Sequence, residues 1–266
     1  MRKSSVKHMS MWENDEVRID IPYSAAGVST TVVLTSKFTG KMMLMDVGDG
    51  ALRDLLSFGN TAFVNETDPI AITHGHFDHI GGIHTILGFM RMLKRSNPLN
   101  ILVPAGCTEA ISLVAAFKQS YAGSHPFRIQ IHEIEDGSGF DTDFFKIHAI
   151  AVEHYGMENT SNEEVLMPAL GFRVQVGNTV VGYTGDTRMC QGAERVVRDV
   201  DIAVIEATRK DTDPIDIPVH LSDSEAKRLG ALAKEHILIH RTPTIAKSSK
   251  RGSGVAVSKR KERTSR

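Results

Sequence analysis

Within Thr73-His74-Gly75-His76-Phe77-Asp78-His79-Ile80-Gly81-Gly82 stand three histidines and one aspartate, all inside six consecutive positions. Side chains of this kind crowd together at a cost unless something binds them. Neutral imidazole nitrogens and a carboxylate suit a borderline divalent ion, zinc first, with manganese or iron as alternatives. Ile70-Ala71-Ile72 precede the cluster and read as the end of a buried strand, so the cluster sits where a strand gives way to a loop. A helix would place His76 and His79 on one face, but not His74 and His76. A loop can converge all four. Gly75 lets the backbone turn tightly between two donors, and Gly81-Gly82 allow the next element to pack closely. The competing reading is a polar turn that is merely rich in histidine.

The pattern His-x-His-x-Asp-His, carried by His74, His76, Asp78 and His79, resembles the signature of the metallo-beta-lactamase superfamily. The resemblance implies an α/β fold, a four-layer αββα sandwich, holding two divalent metal ions. It further implies a histidine, a bridging aspartate and a last histidine downstream. His154 ends the alternating run 145–154, whereas His148 lies mid-strand and reads as a packed strand residue. Asp186 follows Gly185 at the end of an apolar run, the family's bridging position, and His240 follows Ile237-Leu238-Ile239. By this resemblance His74, His76 and His154 would hold one ion, Asp78, His79 and His240 the other, and Asp186 would bridge them. Asp46, two residues before Gly48, resembles the family's Asp-x-Gly, where the aspartate braces the metal loop from behind. An ordinary strand-to-helix turn explains that pair equally well.

The elements that must position these residues follow from periodicity. Alternating or apolar runs predict strands over 17–21, 30–34, 42–45, 98–104, 128–134, 143–152, 201–206 and 237–239. Helical spacing marks 51–58, 83–94 and 108–119. The strand, metal loop, helix, strand, helix rhythm is that of an α/β layer. Gly177-Asn178 between two apolar runs predicts a hairpin joining 170–176 to 179–183. Ser222 with Glu225 forms a capping box, so a helix should start there and run to about residue 234. Residues 155–168 read as a long polar loop, a candidate rim for a substrate pocket.

Glu206-Ala207-Thr208, followed by His220 and a helix carrying Ala226, resembles the Glu-Ala-Thr and His-Ser-Thr motifs of the ribonuclease Z and arylsulfatase-like branch. Leu221 interrupts the second motif. This branch implies a phosphodiesterase working through a metal-bridging hydroxide, with Asp78 orienting the nucleophile and His220, polarised by Glu206, protonating the leaving group. One departure stands out. Ribonuclease Z carries a tRNA-gripping arm, in many members between the positions matched by His154 and Asp186, and only 31 residues lie between them here. The expected substrate is therefore a small-molecule or nucleic-acid phosphodiester, with tRNA maturation in doubt. Two alternatives stay open: hydrolysis of a carboxylic ester, thioester or lactone by a glyoxalase II-like enzyme, and a nucleic-acid-binding or regulatory protein that kept the fold with little turnover.

The 266 residues allow one domain or two small ones, with ample chain for a real core. Charge is unevenly placed: eight basic residues and one acidic give residues 245–266 a net +7, leaving −8 on 1–244 out of a whole-chain −1. The expected organisation is a flexible N-terminal arm over 1–16, a hydrolase domain over 17–244, and a basic, disordered tail over 245–266. The tail offers a contact for RNA or an acidic surface, and a solvated tail without a partner explains it equally well; the acidic body argues against a broad phosphate-binding face. No run approaches the ~20 apolar residues of a membrane helix, nor does the N-terminus resemble a secretory signal. Cys107 and Cys190 are too few for a disulfide framework. A cytoplasmic setting is the default expectation, and the family's frequent dimers make a homodimer another.

Overall fold

The computed structural model describes residues 10–124, 126–157, 164–213 and 219–243. The expected basic tail, residues 1–9 of the expected N-terminal arm and residues 158–163 of the expected polar loop lie outside the described residues.

The first sheet runs in chain order: β1 (Ser10–Glu13), β2 (Val17–Ala25), β3 (Ser29–Ser36), β4 (Met42–Val47), β5 (Thr67–Ala71), β6 (Leu99–Pro104) and β7 (Ile129–Ile134). Between its strands come α1 (Ala51–Leu56), α2 (Phe63–Glu66), α3 (Phe77–Ile80), α4 (Ile83–Met92) and α5 (Thr108–Ser120). Strands β1 to β4 pair antiparallel, and β4 to β7 pair parallel. The second half follows as β8 (Gly139–Asp141), β9 (Lys146–Ala151), β10 (His154–Met157), β11 (Glu164–Met167), β12 (Leu170–Val176), β13 (Thr179–Tyr183), α6 (Gln191–Val197), β14 (Ile202–Glu206), α7 (Asp223–Gly230) and β15 (Glu235–Ile239). Six of these strands form the second sheet in the order β15-β14-β13-β12-β9-β8, and β10 with β11 makes a separate hairpin.

Why two sheets stack between two helix layers can be read from single strands. Side chains alternate faces along a strand, yet β4 is apolar on both. Its Met43 and Met45 enter the core between the sheets, while Leu44 and Val47 face the helices of the first half. Ile101 and Val103 against Leu102 repeat the division in β6. In β14, Ile202 and Val204 join the inter-sheet core, and Ala203 and Ile205 pack against α6 and α7 residues. Strands buried on both faces need cover on both faces. The outcome is the αββα sandwich, with each fully buried Leu or Met contributing about 1.5–3 kcal/mol.

Four local expectations are corrected. Residues 10–13, expected as part of a loose arm, form β1 on the edge of the first sheet, held by Trp12 packing onto the inter-sheet core. Strand β9 ends at Ala151, and His154 instead opens the β10–β11 hairpin, which occupies described parts of the expected 155–168 loop. The helix after Ser222 has its capping box but stops at Gly230. Beyond it, Lys234 N–H donates to Val200 O and Asp199 N–H donates to Leu232 O, so the backbone of 231–234 is drawn to the 199–200 turn. His148 lies on β9 as expected but is exposed rather than packed.

Among the described residues no helix is long and apolar enough to cross a membrane.

Candidate metal centre

The chemistry-bearing residues gather where parallel strands end, the edge at which open α/β sheets place their ligands. Asp46 stands at the end of β4, residues 73–79 follow β5, Asp186 follows β13, Glu206 and Thr208 close β14, and His240 follows β15. His154 enters from β10 and His220 from the segment before α7. Every residue singled out in the sequence arrives at this one place: His74, His76, Asp78, His79, His154, Asp186, Glu206, His220 and His240.

Among the described residues five overlapping groups of donor atoms could hold an ion, and two of them share no residue with each other and match the expected pair: His74, His76 and His154, and Asp78, His79 and His240. His76 Nδ1 lies 3.1 Å from His74 Nε2 and 3.1 Å from His154 Nε2. His79 Nε2 lies 3.3 Å from His240 Nε2, which is 3.2 Å from Asp78 Oδ2. Asp186 stands between the groups, with Oδ2 3.3 Å from His79 Nε2 and 3.9 Å from His74 Nε2.

The outward nitrogens fix the tautomers. His79 Nδ1–H donates to Asp46 Oδ2 at 2.7 Å. His154 Nδ1–H donates to Val219 O at 3.2 Å, His74 Nδ1–H to Thr73 Oγ1 at 3.0 Å, and His240 Nδ1–H to Thr208 Oγ1 at 2.9 Å. Each of these rings, when neutral, therefore aims a bare Nε2 lone pair inward. Facing lone pairs at 3.1–3.3 Å repel unless a cation or a proton lies between them. Asp186 Oδ1 adds to the case: it is buried and accepts no hydrogen bond, although His240 Nδ1 is 3.2 Å away, because that ring N–H points at Thr208. A buried carboxylate oxygen without a donor is an unmet demand for positive charge. The donor set fits a pair of divalent ions.

Protonation in the metal-free chain tells the same story. Burial holds His74 well below the ordinary histidine value and His154 down to about 4. Burial pulls His79 the same way, but Asp186 and Asp46 outweigh it and raise His79 well above the ordinary value. Burial would raise Asp186, yet His240 and His79 hold it well below the usual carboxylate range.

Behind the donors lies a second set of residues that sequence reasoning mostly missed. Asp46 accepts Thr73 N–H on Oδ1, and Thr73 Oγ1–H and Tyr183 O–H on Oδ2, besides His79. Its foreseen bracing position is thus occupied in the way the Asp-x-Gly pattern implied. Gly27 N–H donates to Asp78 Oδ2 at 2.8 Å, and Ser24 Oγ accepts from His240 N–H. Thr208 Oγ1–H reaches Glu206 Oε2 at 2.8 Å, linking that carboxylate to His240. Thr73, Thr208 and Tyr183 do have one sequence signal: each lies next to or two residues from a site residue or strand end. Asp46 and His240 both adopt left-handed backbone, φ 56° and 55°, a conformation that Asp and His tolerate better than most residues.

At the edge of the cluster His220 Nδ1–H donates to Glu206 Oε1 at 3.0 Å and lies 3.8 Å from Asp186 Oδ2. Burial would lower the His220 value, but Glu206 and then Asp186 outweigh it and hold it up to about 9. Glu206 is itself buried and accepts Thr187 N–H and Leu221 N–H on the same oxygen.

With this geometry established, comparison with known proteins gives a consistent answer. The family described as the beta-lactamase superfamily domain matches residues 52–240. The chain belongs to the metallo-beta-lactamase superfamily. Ribonuclease Z of Archaeoglobus fulgidus is 26% identical over 238 residues, covering 75% of this chain and 76% of the relative. Among solved structures, the metallo-beta-lactamase fold protein YhfI of Bacillus subtilis is similar with a TM-score of 0.68 at 17% identity, over 88% of this chain and 89% of that one. Human tRNase Z, short form, is similar with a TM-score of 0.65 at 20% identity, over 84% and 92%. At these identities the structural likenesses speak for the superfamily fold alone.

Proposed function

We propose that this protein is a dinuclear metal-dependent phosphodiesterase of the ribonuclease Z-like type, with zinc as the metal. In this reading His74, His76 and His154 hold one ion, Asp78, His79 and His240 hold the second, and Asp186 serves both. The fit rests on the inward lone pairs and on the unpartnered oxygen of Asp186. When bound, such ions polarise a phosphoryl oxygen and make water a competent nucleophile near neutral pH.

The chain's own groups account for the rest. Asp78, held by Gly27 N–H, keeps one carboxylate oxygen fixed at the site and can orient the attacking water. The departing alkoxide needs a proton, and a positioned general acid contributes about 10²–10⁴-fold. The carrying observation is the Glu206–His220 pair beside Asp186. Glu206 occupies His220 Nδ1, so Nε2 is the atom that turns to the leaving group, with its proton held at neutral pH. Similarity to ribonuclease Z sequences supports a phosphodiester substrate. A small phosphodiester suits this chain better than tRNA, because the described residues between His154 and Asp186 are taken up by the β10–β11 and β12–β13 hairpins.

The deciding experiment is hydrolysis of bis(p-nitrophenyl) phosphate by metal-analysed protein, beside a thioester and a lactone. Phosphodiester turnover with two ions per chain, both lost in Asp186→Ala, is the expected result. Turnover of the carboxyl substrates alone would overturn the reading, as would full activity with two ions bound in Asp186→Ala.

A further inference from the structure

Phe77 lies between His76 and Asp78, yet it is 63% exposed while Asp78, His79 and Ile80 after it are buried. Two other apolar surfaces converge on the same three residues. Gly27 N–H on Asp78 Oδ2 ties the turn that carries Val28, 41% exposed, to the metal loop. From the other side comes the β10–β11 hairpin. A Cβ built on Gly156 would stand 3.3 Å from Met167 Sδ and 3.4 Å from His76 Nε2, so this face of the hairpin looks onto the metal loop with the Met167 thioether beside it. Val165 pairs directly with Gly156 and so shares its face; it is 39% exposed. The mouth of the site beside His76 is thus bordered by the Phe77 ring, the Val28 and Val165 side chains and the Met167 thioether. The carboxylate of Glu109, packed against Gly75, gives an anionic strand nothing to hold there.

We propose that Phe77, Val28 and the Gly156–Val165 face form an apolar clamp that receives a flat aromatic group carried by the substrate's phosphate, either a nucleobase or a simple aryl ester. This rests on the phosphodiesterase reading above and narrows it to a substrate class. Offset stacking on an aromatic ring adds selectivity beyond buried area, and stacked bases show effects of the same order. A side chain at Gly156 would press on the Met167 thioether and on His76.

The test is calorimetric binding to the zinc-loaded full chain, with phenyl phosphate against methyl phosphate and adenosine 5′-monophosphate against ribose 5-phosphate. The aromatic member of at least one pair should bind roughly tenfold tighter. Phe77→Ala and, on the opposite wall, Val165→Ser should each collapse that ratio toward one, while Met92→Ala, exposed on α4, keeps it. Preference in the phenyl pair alone identifies a simple aryl ester; preference in the nucleotide pair identifies a base. Equal binding within both pairs, or a ratio that survives both wall substitutions, overturns the clamp. Aromatic preference without phosphodiester turnover would remove the proposed activity and leave the clamp standing. Turnover without the preference would do the reverse, and no binding by any of the four would remove both.

Discussion

Asp46 Oδ2 lies 2.7 Å from His79 Nδ1, and both side chains are completely buried. The contact fixes which nitrogen of His79 faces the metal site, and two further donors, Thr73 Oγ1 and Tyr183 O–H, converge on the same oxygen. An amide in this place has one oxygen for four donors and must turn its own N–H groups toward some of them. Asp46→Asn should therefore lower zinc affinity about 10–100-fold, measured by competition with a chromophoric chelator. Unchanged affinity would show that His79 is oriented by something else.

The Glu206–His220 pair makes a different claim, about chemistry rather than metal retention. His220→Ala should lower kcat by about 10²–10⁴-fold with two ions per chain retained by elemental analysis. Glu206→Gln should lower kcat in the same direction and move the alkaline limb of the pH–rate profile to lower pH, since Glu206 raises His220 most. Loss of an ion in His220→Ala would make His220 a ligand, a role its nearness to His154 and Asp186 allows.

Stability of the metal-free chain should peak near neutral pH and fall on both sides. His220, raised from 6.5 to about 9, stabilises fully below 6.5, and that contribution is lost as pH rises through about 9. His154, lowered from 6.5 to about 4, acts oppositely: the unfolded chain binds its proton first, so stability falls as pH drops from 6.5 toward 4. Thermal melts across pH 4–10 in chelator give the profile, and His220→Asn should flatten its alkaline side. An unaltered alkaline slope in that variant would refute the assignment.

Away from the site, Arg95 is almost fully buried and donates to Asn97 O, Val64 O, Thr67 O and Pro98 O. Burial lowers its value to about 10. Lysine cannot reproduce this planar fork. Arg95→Lys should cost about 3 kcal/mol, roughly 6–12 °C in Tm, while zinc affinity per folded molecule stays at the wild-type value. A melt within about 1 °C of wild type, well below that range, would mean that water replaces the guanidinium.

What the sequence disclosed about the site depended on how local each signal was. His74 to His79 are near neighbours in the chain, so their spacing alone suggested convergence. His154, Asp186 and His240 became legible through the family pattern, and Asp186 and His240 also through strands that end shortly before them. Thr208 and Tyr183 act through partners 32 and 137 residues away, and no local pattern encodes such pairings. The hairpin β10–β11 was read as loop because Glu164, Val165 and Leu166 are all exposed, which removes the alternation that marks a half-buried strand. The fold layers fared better, because strands apolar on both faces demand cover on both sides.

The pairing of His79 with His240 also sets a timetable for the making of the protein. Four of the seven proposed ligands leave the ribosome early, on the first sheet; the last follows β15, the final strand described, 161 residues later. No complete site exists until the second sheet has closed over the first. On the proposed ligand set, metal capture would follow the closure of the two sheets.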